Sequence, residues 1–247
     1  MTEIIAEFGS SITVDLNRCS SGDKIYLIIL DSQKHVLYSW CKAAAESGAT
    51  HVKIQLFKAE HFPITEQESK RPLEFPRELV PLFVETAHHY GLKAGASVFD
   101  KEAVELAAQH CDFIKLACRE MNNAELQVTA MSLSGAKKIY RSIDEYFWYG
   151  GGDQGGRITH LYAIQKYPAP IFESICRLLM WVNHARRTGG NSWGWSSHTR
   201  GWLDCWLAAK LGASVIEKHL AMSPSDIEAG HSLLPGEFAK MAREING

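Results

Sequence analysis

A chain of 247 residues, 46% hydrophobic and 22% charged, can bury one large core and lies far from a disordered composition. Its formal net charge of −2 argues against a general electrostatic grip on nucleic acid or an anionic membrane, and leaves small anionic substrates to local charge. The apolar run 25–30 is far too short to span a bilayer and Thr2-Glu3 do not begin a basic leader, so a cytoplasmic protein is expected. The six cysteines form no CxxC pair, and most read as small buried apolar groups.

In chain order, Glu3 to Gly9 reads as a buried strand ending in a carboxylate and a glycine. The polar stretch Ser10 to Gly22 reads as a loop before a helix. That helix is expected to be capped near Ser21 or Asp23 and to run to Ser47, with Gly48 as its stop; Ile25 to Leu30 is alternatively an extra strand. From Gly48 a unit recurs of helix, glycine, apolar strand and polar end. It gives strands over His51–Phe57, Lys93–Phe99 and Ser214–Leu220, with Cys111-Asp112 playing the glycine's part before Phe113–Ala117. Lys138–Ser142, Ile158–Ala163 and Ser192–Ser196 bring the strands to eight.

Eight parallel strands predict an α/β fold, a (β/α)8 TIM barrel occupying residues 1–247 as one domain, with its chemistry at the strand C-terminal ends. A doubly wound open sheet competes, but no Gly-x-Gly-x-x-Gly follows the first strand. The fifth unit is irregular: between Ser142 and Arg157 there are too many glycines for a full helix. A reduced or missing fifth helix is therefore expected, with Tyr146, Phe147, Trp148 and Tyr149 or a second subunit covering the exposed barrel, which makes a homo-oligomer possible.

The predicted strand ends carry Glu7, Lys53, Gln55, Ser97, Lys115, Ser142, Gln165, Tyr167, Ser196, His198 and His219, with Glu120 just beyond the fourth. A lysine inside an apolar strand wants an anionic partner. That partner is either a carboxylate within the barrel or a phosphate satisfying several lysine and serine donors together. His198 and His219 end adjacent predicted strands, close enough for both imidazoles to reach one divalent ion. The other histidines considered, at 35, 51, 61, 88, 89, 110 and 184, read as ordinary core or surface residues. Cys118 has no histidine near it in sequence and is not expected to act as a nucleophile.

These stretches resemble the sialic acid synthase family, which condenses phosphoenolpyruvate with N-acetylmannosamine or related sugars. The resemblance rests on Ile4 to Gly9, Val52 to Lys58, Ser97 to Asp100, Lys115 to Glu120, Tyr167-Pro168-Ala169-Pro170, Gly194 to Thr199 and Gly212 to His219, in family order. It implies that His198 and His219 bind manganese or magnesium, and that Lys53, Ser97, Lys115, Ser142 and Ser196 hold phosphoenolpyruvate. It further implies that Gln55, Gln165, Tyr167 and Glu228 face the sugar, and that the carboxylates Glu120 and Glu7 serve catalysis, Glu120 near the attacking water.

The departures fall mostly on the sugar side. Ser10-Ser11-Ile12-Thr13 replaces an Asn-His-Asn-Gly-like loop, Cys118-Arg119 replaces Ser-Gly, Gln165 replaces Asn or Ser, and Glu228-Ala229 replaces a Pro-Asp-His segment. The family's C-terminal antifreeze-like domain, whose arginine reaches the partner subunit's sugar site, is expected to be absent, and Arg119 is a candidate replacement. Three functions stay open: a metal-dependent synthase using phosphoenolpyruvate and an aldose, a non-catalytic binding or assembly barrel, and a metal-dependent aldolase on another keto acid.

Overall fold

Strand β1 (Glu3–Glu7) pairs in parallel with β2 (His51–Leu56) on one side and β8 (Val215–Leu220) on the other, which closes the sheet. Between them follow β3 (Lys93–Val98), β4 (Phe113–Leu116), β5 (Lys138–Ile143), β6 (Ile158–Ala163) and β7 (Trp193–Ser197), each parallel to its neighbours. The result, seen in a computed structural model describing residues 1–20, 26–144, 157–187 and 192–247, is the expected eight-stranded α/β barrel. A two-residue strand β9 (Ser232–Leu233) runs alongside the end of β8, pairing Ser232 with His219.

The largest apolar cluster lies where the strands' outward residues meet the helices. Inside the ring, Ile5, Phe113, Tyr140, Leu161 and Val215 form a separate buried plug. Alternation along a strand then dictates what stands two residues further on. Ile5 is followed by Glu7, Phe113 by Lys115, Tyr140 by Ser142, Leu161 by Ala163 and Val215 by Glu217. An apolar layer thus carries a polar one toward the strand C-terminal ends. The plug needs a small residue at Gly95, where any side chain would overlap the Phe113 ring.

Near the N-terminus one sequence expectation is corrected and one alternative is set aside. Ser11–Ser20 is not loop but helix α1, in which Ile12 and Leu16 lie one turn apart and are fully buried. Its polar Asp15 accepts a hydrogen bond from Trp40 Nε1 at 3.0 Å. Residues 26–30 are not an extra strand but open helix α2 (Tyr26–Glu46), which ends just before Gly48 as expected. The proposed caps Ser21 and Asp23, and the aromatic and glycine-rich crossover between β5 and β6, lie outside the described residues. The remaining helices are α3 (Ile64–Lys70), α4 (Val80–His89), α5 (Lys101–His110), α6 (Ala124–Leu133), α7 (Ile171–Arg187), α8 (Leu203–Lys210) and α9 (Pro235–Asn246). No helix among the described residues is long and apolar enough to cross a membrane.

Gly95→Val overpacks the plug and is expected to cost about 1–3 kcal/mol. A urea titration would register this as a lower midpoint at unchanged slope.

Candidate functional site

At the strand C-terminal ends the ring opens into a cavity of ≈ 670 Å³. Glu7, Lys53, Gln55, Ser97, Lys115, Arg119, Ser142, Gln165, Tyr167, Ser196, His198, His219 and Glu228 all line it. Residues far apart in sequence meet there because each ends, or directly follows, one strand of the ring. Glu120 is the exception: it lies in a short 3-10 turn (Cys118–Glu120) beyond β4, away from the cavity lining. Its carboxylate accepts a hydrogen bond from Asn123 Nδ2 at 2.9 Å.

The floor of the cavity is charged and closely balanced. Lys53 is ion-paired with Glu7, and Lys115 with Glu217, all four being buried. Lys53 also donates to Ser97 Oγ at 2.6 Å and lies 3.9 Å from Glu217 Oε2. Ser196 Oγ donates to Glu217 Oε1 at 2.7 Å. Burial pushes the Glu217 pKa up, but the ammonium charges of Lys115 and Lys53 outweigh it and hold the carboxylate well below its usual range. Enclosure lowers the Lys53 pKa to about 7, against the opposing pull of Glu217.

Of the two partners weighed for the lysines, the internal carboxylate is therefore in place. Glu217 was missed by the sequence reading, although its separation of two residues from His219 on β8 sends both inward. Unmet hydrogen-bonding capacity remains, since Ser142 Oγ and Glu217 Oε2 are buried without a hydrogen-bond partner.

One wall is made of histidines. β7 and β8 are neighbours in register, Ser197 opposite Lys218, so His198 and His219 come together with ring centroids 5.6 Å apart. His198 Nδ1 donates to Ile164 O at 2.7 Å, and His219 Nδ1 meets Glu228 Oε2 at 3.1 Å. His231, from the segment between β8 and β9, packs beside them 4.6 Å from the His219 ring. No periodicity marks His231 in the sequence. The Tyr167 ring lies 4.3 Å from that of His198 at the mouth.

Behind this wall a polar network fixes the turn that carries His198. Asp204 on α8 accepts from Trp195 Nε1 at 2.8 Å, Ser197 Oγ at 3.1 Å and Thr199 Oγ1 at 2.8 Å. Lys218 donates to Ser197 Oγ at 3.1 Å and Thr199 O at 2.6 Å. The residues on either side of His198 are thus tied to the residue preceding His219.

The family resemblance implies a divalent metal, and the donor set fits one. Burial lowers the pKa of His198 well below its ordinary range, the charge of His219 adding to the effect. Burial likewise brings His219 and His231 from 6.5 to about 3, helped by Lys53 at His219 and by His219 at His231. Neutral imidazoles are the metal-binding form. With Nδ1 of His198 and His219 engaged by oxygen acceptors, each Nε2 keeps its lone pair for the cavity. Cys118, by contrast, has its thiol pKa raised to about 12 by burial, which makes it a poor nucleophile near neutrality.

Fold and site together define a (β/α)8 barrel whose rim joins paired lysines to a histidine wall. Residues 40–247 match the NeuB family, and the chain belongs to it. It is 25% identical over 233 residues to an N,N'-diacetyllegionaminic acid synthase of Legionella pneumophila, a match covering 82% of this chain and 65% of that protein. The chain therefore spans less than two thirds of that relative. In fold it is similar to N-acetylneuraminic acid synthetase from Leptospira borgpetersenii, with a TM-score of 0.78 at 20% identity over 99% of this chain and 82% of the other. It is also similar to a truncated 3-deoxy-D-arabino-heptulosonate 7-phosphate synthase from Thermotoga maritima, with a TM-score of 0.68 at 16% identity over 99% and 85% of the two chains.

Two outcomes follow from the buried charges. Glu217→Gln leaves Lys115 without its counter-ion and is expected to lower stability by about 3–5 kcal/mol. Inorganic phosphate should raise the melting temperature of this variant more than that of the parent, as read by differential scanning fluorimetry. For metal-free protein, His219 and His231 titrate near 3 when folded and near 6.5 when unfolded. Between those values the unfolded chain binds more protons, so stability falls as pH drops from about 6.5 toward 3. Denaturant midpoints in a chelating buffer at pH 7 and pH 4.5 test this, and His231→Phe should shrink the difference.

Proposed function

We propose that this barrel condenses phosphoenolpyruvate with an aldose to give a nonulosonic or related 2-keto sugar acid, releasing phosphate. The observation that carries the proposal is a floor of Lys53, Lys115, Ser97, Ser142 and Ser196 facing the same cavity as three buried histidines. A phosphate or carboxylate arriving there finds an unpartnered Ser142 hydroxyl and two ammonium groups whose present partners are carboxylates. The incoming anion competes with Glu7 or Glu217 as counter-ion, so a carboxylate that gives way to it keeps the site free of excess buried negative charge.

In the reaction, C3 of phosphoenolpyruvate forms a bond to the aldehyde carbon of the open-chain sugar, whose oxygen takes a proton. Water then adds at C2, and phosphate leaves as the C2 hydroxyl proton is lost and the ketone forms. A divalent ion at His198 and His219 supplies Lewis acidity toward the sugar carbonyl when bound. Glu7, held by the Gly9 amide at 2.9 Å, lines the cavity and is the carboxylate assigned to take the water's proton; Glu120, outside the lining, is relieved of that role. Gln55, Gln165, Tyr167 and Arg119 are assigned to the sugar end. The acceptor is an aldose of the N-acetylmannosamine type or a relative, in line with the relatives named as legionaminic and neuraminic acid synthases.

The test is phosphate release on incubation with manganese, phosphoenolpyruvate and a panel of aldoses. Release with at least one sugar is expected, abolished by His198→Ala. Glu7→Gln should reduce kcat/KM by about 10²–10⁴-fold, whereas Glu120→Gln should stay near the parent. Absence of release with every sugar, together with no heat of phosphoenolpyruvate binding, would reject the enzyme in favour of a non-catalytic barrel.

A further inference from the structure

We propose that His231 is a third protein ligand to the metal, completing a three-nitrogen site with His198 and His219 that favours a transition-metal dication over Mg²⁺. The inference rests on the metal reading of His198 and His219 given above and adds to it a residue from a different segment. His231 is 8% exposed, yet its Nε2 has no hydrogen-bond partner. Leaving such an atom bare costs about 1–3 kcal/mol, so a buried imidazole nitrogen without a partner calls for a ligand. The atom belongs to a ring that lines the cavity and sits 4.6 Å from His219 and 6.3 Å from His198, centroid to centroid.

A second observation ties His231 to His219 and Glu228, in a cluster that does not include His198. His219, Glu228 and His231 each offer one ligand atom, and these atoms lie within 4.8 Å of one another. Glu228 does not have to be a ligand for this to work. Its Oε2 accepts from His219 Nδ1 at 3.1 Å, and the Ser10 amide also donates to its carboxylate. Gly9 makes room for it, because a Cβ at that position would overlap the Glu228 carboxylate. Glu228 is thereby a positioning residue: it fixes His219 in the Nδ1–H tautomer and turns Nε2 inward, as carboxylates behind metal-bound histidines commonly do.

The donor chemistry sets the ion. Three neutral imidazoles are borderline nitrogen donors, which suit zinc, copper, iron or nickel best and Mn²⁺ less well, whereas Mg²⁺ demands oxygen ligands and keeps its waters. Glu228, assigned to the sugar from the family resemblance, moves to the metal's side of the cavity.

The experiment is metal binding without substrates. Full-length protein is stripped with chelator and titrated with Mn²⁺, free ion being followed by electron paramagnetic resonance, and with Mg²⁺ as competitor. His231→Phe, which keeps a ring against Tyr167 but removes the donor, should weaken Mn²⁺ binding by at least about tenfold and narrow the preference for Mn²⁺ over Mg²⁺. Unchanged Mn²⁺ affinity in His231→Phe, with affinity lost in His198→Ala and His219→Ala, would overturn the third ligand and leave the two-histidine site standing. Failure of the parent to bind any dication would overturn both. Should His231→Phe not fold, pulsed resonance on the Cu²⁺-loaded parent counts coordinated imidazoles: three are expected, and two would overturn the proposal.

Discussion

Two buried ion pairs, Lys53 with Glu7 and Lys115 with Glu217, are the constraint on which the rim of this barrel depends. Four charges enclosed together are tolerable only because they balance, and balance requires β1, β2, β4 and β8 to be in register around the ring. Hydrophobic residues of similar volume would stabilise the fold as well or better. A layer of charge in that place instead gives the cavity two ammonium groups whose partners are carboxylates.

The histidine wall follows a different logic. Its rings are neutral, and its geometry comes from backbone and side-chain acceptors behind it: Ile164 O for His198 and Glu228 for His219. The Asp204 and Lys218 network immobilises the turn between Ser197 and Thr199, so the His198 ring is aimed by atoms that never face the cavity. The charged floor is adaptable and the wall is rigid.

Much of this was legible in the chain because parallel strands announce themselves by helix stops, and alternation within a strand says which residues share a face. Lys53, Ser97, Lys115, Ser142 and His219 were found in that way and do line the cavity. Legibility ended where strand phase ended. Glu120 lies beyond the end of β4, where the chain turns and alternation no longer points anywhere. His231 sits on an irregular segment, and the short pairing of β9 with β8, Ser232 opposite His219, brings it to His219. The Ser-rich stretch after β1 masked an amphipathic helix, since Ile12 and Leu16 are too few apolar residues to outweigh a loop-like composition. Glu217 obeys the same alternation, standing two residues before His219 on β8 and sharing its face.

The pairing of β1 with β8 also bears on how the site comes into being. Residues 3–7 pair with residues 215–219, nearly the whole chain apart, so this contact closes the longest loop in the ring. Glu7 and Glu217 stand on those two strands, and so does His219. A partly folded barrel, however many helices and strands it has built, holds neither the balanced floor nor the finished wall. Any group of side chains that spans the floor and the wall therefore exists only where the ring is closed.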